Sequence, residues 1–189
     1  MKRVAVLYTT SEGQTQRIAE HMADRLRLSG VDVDLRNLKS DAPPRKLSGY
    51  ASVILAASVH VGHHQREMVN FVRARRDQLQ QVPAYFVSVT LSQAGAQRSG
   101  DSPEKHKQFE ADVDKMIADF SRETGWRPKY ILPVAGAILY TQYNFIVRFV
   151  MRRIAAKAGA ATDTSHDHAY TDWDAVDRFT DRIAQEFAA

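Results

Sequence analysis

Val4–Thr15, VAVLYTTSEGQT, runs an apolar, β-type segment straight into a hydroxyl-rich turn, and a helical pattern begins as soon as the turn ends. That junction is built to hold a phosphate. The first amides of a helix have no partner within it, carry partial positive charge and point at whatever lies in front of them. Thr9, Thr10, Ser11 and Thr15 can add hydroxyl donors, and Gly13 lets the chain turn tightly where a Cβ would clash. Neither G-x-G-x-x-G nor G-K-[ST] is present in the turn, so the dinucleotide and P-loop fingerprints do not fit. Taken alone, a Ser/Thr-rich turn before a helix is equally an ordinary N-cap.

Working outward, strand and helix patterns alternate along the chain, the signature of a parallel sheet covered on both faces. Val4–Tyr8 reads as the first strand; Ile18, Ala19, Met22, Ala23 and Leu26 repeat at helical spacing, with Gly30 as the stop. Val31–Leu35 alternates as a second strand and Ala51–Ala57 is a short apolar third. Met68, Phe71, Val72 and Leu79 then share one helix face, and Ala84–Thr90 is a fourth strand. Residues 92–100 read as a loop, after which Ser102, Pro103 and Glu104 open a helix presenting Phe109, Val113, Met116, Ile117 and Phe120 to the core. Tyr130–Ile138 is a fifth strand, and Asp172 caps a last helix bearing Val176, Phe179, Ile183 and Phe187. The pattern predicts a doubly wound α/β fold of flavodoxin-like type, a five-stranded parallel sheet in the order 2-1-3-4-5. Ligands in such sheets bind beyond the carboxyl ends of the strands, where the strand order reverses. Three segments converge there: 9–15, 58–64 and 88–93. Thr10-Ser11-Glu12-Gly13-Gln14-Thr15 resembles the flavodoxin phosphate loop, [ST]-x-T-G-x-T, with Glu12 in place of the usual threonine. That resemblance implies FMN, held by Thr10, Ser11, Glu12, Gly13, Gln14 and Thr15 at its phosphate and flanked at its ring by Ser58, Val59, His60, Gly62, Ser88, Val89, Thr90 and Leu91.

At 189 residues the chain is sized for one domain, 1–189, with a substantial core. Zero cysteines exclude disulfides, thiolate metal sites and dithiol redox chemistry, so any electron transfer needs a bound cofactor. Neither a signal-peptide core nor an apolar run of membrane-spanning length is present, so a soluble or peripheral protein is expected. The net charge is +4 and the sequence pI about 9.4. Such a balance suits anionic lipid or acidic small molecules as much as nucleic acid, and nothing in the pattern singles out nucleic acid.

Between the fifth strand and the last helix the chain inserts about thirty residues, 139–168. Within them YNFIVRFVMRRIAAKA, residues 143–158, reads as a helix ended by Gly159. Val147, Val150, Met151, Ile154 and Ala158 form one apolar stripe, while Phe145, Arg148, Phe149, Arg152 and Arg153 share the other side. Phenylalanines among guanidinium groups suit an anionic, apolar partner, either a lipid headgroup layer or a planar ligand with carboxylates. A solvated basic face is the plainer alternative.

The separated blocks EGQT (residues 12–15), ASVHVGHH (57–64), YFVSVTL (85–91), GWRP (125–128), VAGAILY (134–140), the basic insert, TDT (162–164) and YTDW (170–173) resemble the flavodoxin-like, menaquinone-dependent protoporphyrinogen IX dehydrogenases of haem synthesis. Members often carry Arg-Tyr where this chain has His60-Val61, and arginine where it has Leu139. The resemblance implies oxidation of protoporphyrinogen IX to protoporphyrin IX, with FMN passing electrons to menaquinone or ubiquinone. It further implies a cytoplasmic protein attached peripherally to the inner membrane's cytoplasmic face, with Tyr140, Phe145, Arg148, Phe149, Arg152 and Arg153 toward substrate or membrane. A homo-oligomer is compatible with this reading.

His60, His63 and His64 invite a metal, but no carboxylate or cysteine nearby completes a ligand set, and none is expected. His60 is instead placed beside the flavin as a candidate proton relay, with a bond to loop backbone as the structural alternative. Trp126 and Trp173 read as packing residues, and Asp163 and Thr164 as shaping the turn that leaves the insert. Two other functions stay open. A diffusible flavodoxin-type electron carrier would have no substrate site, though such carriers are usually acidic; an NAD(P)H:quinone reductase would bind nicotinamide against the flavin.

Overall fold

A computed structural model describes residues 2–97, 102–138, 156, 163–165 and 167–187. The insert residues Leu139, Tyr140, Phe145, Arg148, Phe149, Arg152 and Arg153, and the whole stripe opposite them, lie outside the described residues.

The main sheet is built from β1 (Arg3–Thr9), β2 (Asp32–Asn37), β3 (Ser52–His60), β5 (Ala84–Thr90) and β6 (Tyr130–Ala135), all parallel, in the order β2-β1-β3-β5-β6. The two-residue β4 (His63–His64) folds back antiparallel on β3. Counting the long strands alone, this is the 2-1-3-4-5 order expected. Alternate strand residues point to opposite faces, and both faces are buried. Val4, Val6, Tyr8, Ile54, Ala56, Tyr85, Val87 and Val89 meet α1 (Gln14–Leu28) and the last helix α5 (Trp173–Gln185) on one side. Ala5, Leu7, Val53, Leu55, Ala57 and Phe86 meet α2 (Arg66–Leu79), Phe120 of α4 (Pro103–Thr124) and Trp126 on the other. Trp126 is buried edge-on against Phe86 and Phe120, whereas Trp173 is partly exposed and tilts over His21.

Helix ends follow the sequence signals. Ser102 caps α4 by accepting from the Lys105 amide, and Asp172 caps α5 by accepting from Ala175 N at 3.0 Å. Gly30 follows the α1 cap residue Ser29 in a left-handed conformation.

Three expectations need correction. Residues 92–97 are not loop but most of a helix, α3 (Leu91–Gln97). Thr90 Oγ1 accepts from Ser92 N at 3.1 Å, and the Phe109 ring packs so close to Gly95 that a Cβ there would lie 2.6 Å from it. Phe109, packed on Gly95 of α3, and Ile117 are only half-buried in α4. The fifth strand does not run straight to Ile138: it stops at Ala135, Gly136 N donates to Thr90 O at 3.1 Å, and β7 (Ala137–Ile138) turns off to pair antiparallel with β8 (His168–Ala169). Ile138 pairs with His168, so the last residue expected to belong to the insertion is already in β8.

Candidate functional site

Beyond the carboxyl ends of β1, β3, β5 and β6 lies a cavity of about 620 Å³. It takes in the β1–β3 junction, where the order of connection reverses, the position at which doubly wound sheets bind ligands. Its walls include Thr10, Glu12, Gln14 and Thr15 from the first turn, Ser58, Val59, His60, Val61 and Gly62 from the β3–β4 hairpin, and Val89, Thr90 and Leu91 after β5. Ser11 and Gly13 shape the first turn without lining the cavity.

The first turn is held by its own atoms. Gly13, at φ 92°, donates its amide to Thr10 Oγ1 at 2.9 Å, and its carbonyl receives Arg17 N at 3.1 Å. That amide is thus committed to the turn rather than to a ligand. Ser11 Oγ accepts from Gln65 Nε2 at 2.7 Å and from Lys39 Nζ at 3.1 Å, which leaves its own proton to donate outward. Thr15 Oγ1, Gln14 Oε1 and Ser58 Oγ are buried with no hydrogen-bond partner among the described residues. Buried polar groups are normally paired, and these three, with His60 Nε2, belong to residues that line the cavity. The Glu12 carboxylate, which would repel a phosphate, lies 3.4 Å from His60 Nε2 across the cavity mouth. No aligned hydrogen bond joins the two: His60 Nε2 has no hydrogen-bond partner among the described residues.

The hairpin tip is strained. Val61 at φ 49° and Gly62 at φ 80° make the two left-handed positions of a tight two-residue turn, where glycine or asparagine is favoured and a β-branched residue is not. The Val61 side chain is 96% exposed at the cavity rim.

Ser88 is a correction. Expected at the cofactor, it lies on the opposite strand face from Val89, fully buried, with its hydroxyl 2.9 Å from His64 Nε2. The three histidines of the hairpin diverge: His60 faces Glu12, His63 is exposed, and His64 is buried between Phe86 and Phe120 at centroid distances of 5.1 and 4.9 Å. Burial, aided by the neighbouring His63, pushes the His64 pKa from 6.5 down to about 4. The native ring stays neutral while the unfolded chain takes a proton near its ordinary value. This contribution is therefore complete above the unfolded pKa of 6.5 and is lost as pH falls toward about 4. Urea midpoints measured between those limits should fall with pH by an amount corresponding to about 3 kcal/mol, and His64→Leu should flatten the slope.

With the geometry in view, the comparisons are direct. A flavodoxin domain family matches residues 5–165. The protoporphyrinogen IX dehydrogenase [quinone] of Escherichia coli (strain K12) is 30% identical over 182 residues, 96% of this chain and 94% of that protein. The chain belongs to this flavodoxin-like dehydrogenase family. The Leishmania major protein of the same name is 30% identical over 188 residues, 97% of this chain and 74% of that one. Among solved structures, a flavodoxin from the domain Archaea superposes with a TM-score of 0.52 at 16% identity, covering 99% of each chain, a likeness of fold. As a protoporphyrinogen IX dehydrogenase family member, the chain falls among oxidoreductases.

Sequence reasoning missed part of the cavity lining. Asp112, Lys115 and Met116 of α4 and Ser92, Gly136 and Ala137 also line the cavity. The 112, 115, 116 spacing marks one helix face, a signal that was readable, but only packing of α4 on α3 turns that face toward the cavity. Lys115 is also paired with Asp119 at 2.9 Å. Asp163 accepts from Ser165 N and Oγ at 2.9 and 2.7 Å, in keeping with the turn-forming role read for it.

Proposed function

We propose that this chain oxidises protoporphyrinogen IX to protoporphyrin IX, using FMN as its bound cofactor and a quinone as acceptor, in haem synthesis. The observation that carries the reading is the phosphate-type turn and two strand-end loops meeting around one cavity in a chain 30% identical, nearly end to end, to a protein of that name. FMN suits the residues present: the Thr15 hydroxyl and the leading amides of α1, which a helix cannot pair within itself, can hold its phosphate, and the hairpin and Val89–Leu91 segments offer apolar flanks for a ring. A bound flavin can accept two electrons from a substrate and pass them to a quinone. Loss of six electrons and six protons from the substrate balances the reduction of three quinones to quinols.

This chain's residues supply orientation. His60, beside Glu12, is the candidate group to take or return a proton at Nε2. Val61 and Leu91 shape an apolar mouth. Menaquinone is the acceptor proposed first, with ubiquinone as its competitor, and the arginines of the insert support a peripheral, salt-sensitive attachment to anionic membranes. Among the described residues no helix is long and apolar enough to cross a membrane. The test is anaerobic steady-state turnover of protoporphyrinogen IX with soluble analogues of each quinone. Porphyrin formation that requires quinone supports the reading. Quinone reduction by NAD(P)H with no porphyrin formed from protoporphyrinogen would replace it with a reductase.

A further inference from the structure

The segment that returns from the insertion reaches the phosphate-type turn through one hydrogen-bond chain. Thr171 Oγ1 donates to the Ala135 carbonyl at 2.8 Å, and Gln14 Nε2 donates to Thr171 Oγ1 at 2.8 Å. The direction of this chain is forced. A carbonyl oxygen only accepts, so the single Thr171 proton is committed to Ala135 and the hydroxyl can only accept from Gln14. The Gln14 amide must then present its NH2 group to Thr171 and turn its carbonyl oxygen the other way. Gln14 is 5% exposed, lines the cavity, and its Oε1 has no hydrogen-bond partner among the described residues. A buried acceptor without a donor is a liability that a ligand's hydroxyl or N–H would remove.

We infer that Thr171 is a positioning residue for the cofactor, fixing the Gln14 amide so that its carbonyl acceptor is turned away from Thr171 and held at the cavity wall beside the phosphate turn. An acceptor in that place disfavours a bare anion and suits a phosphorylated ligand that also carries hydroxyl donors. The segment that follows β8 thereby becomes part of the support of the cofactor, through two residues 157 positions apart in sequence. The inference rests on the FMN reading above.

The test measures FMN affinity from flavin release on dilution of the holoprotein, for wild type, Thr171→Val, Thr171→Ser, Gln14→Met and the Thr171→Val/Gln14→Met double variant. Thr171→Val should weaken FMN about tenfold, the size of one directed hydrogen bond, while Thr171→Ser, which keeps the hydroxyl, stays within about twofold of wild type. In the Gln14→Met background the Thr171→Val effect should shrink to less than about twofold, because its route to the ligand is gone. Equal losses from Thr171→Val in both backgrounds, or no loss in either, would overturn the inference while leaving FMN binding intact. A wild-type protein that retains no flavin would overturn the cofactor reading, and this inference with it. Melting curves recorded beside the titrations separate a folding defect, which Thr171→Ser and Gln14→Met bypass.

Discussion

Gly13→Val should lower FMN affinity by roughly tenfold or more and leave the purified protein visibly depleted of flavin. The sequence suggests a clash as the reason, and the structure replaces it with another: no protein atom lies within 4 Å of where a Cβ at Gly13 would sit. The constraint is the backbone itself, at φ 92° and ψ −14°, a conformation that L residues, and β-branched ones most of all, adopt only under strain of about 1–3 kcal/mol. Valine can relieve that strain by rotating the peptide back to negative φ. The rotation would break the Gly13 amide's bond to Thr10 and disturb the start of α1, where Arg17 N bonds the Gly13 carbonyl. The turn that orients Ser11 and Thr15 would then be lost. The ratio of flavin to protein absorbance checks this, and unchanged occupancy would remove the phosphate turn from the account.

Replacing Arg148, Arg152 and Arg153 together with glutamine should cut protoporphyrinogen turnover at least tenfold, with flavin content and melting temperature near wild type. These side chains lie outside the described residues, so the expectation rests on their sequence pattern and on where the insertion begins. Gly136 and Ala137 line the cavity, and Ile138, next in the chain, pairs with His168. A guanidinium group that meets a propionate carboxylate or an anionic lipid headgroup contributes about 1.5–3 kcal/mol per charge-assisted bond where water is excluded and less where it is not. Steady-state assays with both membrane-bound and detergent-dispersed quinone read the effect. Wild-type rates in both would mean that the basic face is merely solvated.

Much of the fold was legible because it is local. The β1–turn–α1 junction, the caps at Ser102 and Asp172 and the alternating apolar strands each depend on neighbours within a few residues. What escaped depends on contacts between distant segments. α3 has a loop-like composition, and its Gly95 packs against Phe109 on another helix, α4. Ser88 could have been assigned correctly by strand parity, since it shares the Phe86 face and not that of Val87 and Val89. The bend at Gly136 that sends β7 to β8 was hidden inside an unbroken apolar run, VAGAIL. Gln14 with Thr171 had no signal in the sequence, because nothing relates two polar residues that far apart until the sheet is assembled.

Central to the account is the claim that protoporphyrinogen IX reduces a flavin bound at this cavity. Anaerobic mixing of the oxidised holoprotein with protoporphyrinogen IX, with no quinone present, tests it in a single turnover. The account predicts loss of the oxidised-flavin absorbance together with formation of the first oxidised tetrapyrrole, and its return on adding a menaquinone analogue. Flavin that stays oxidised with protoporphyrinogen, yet is reduced at once by NAD(P)H or by a flavodoxin reductase, would contradict it.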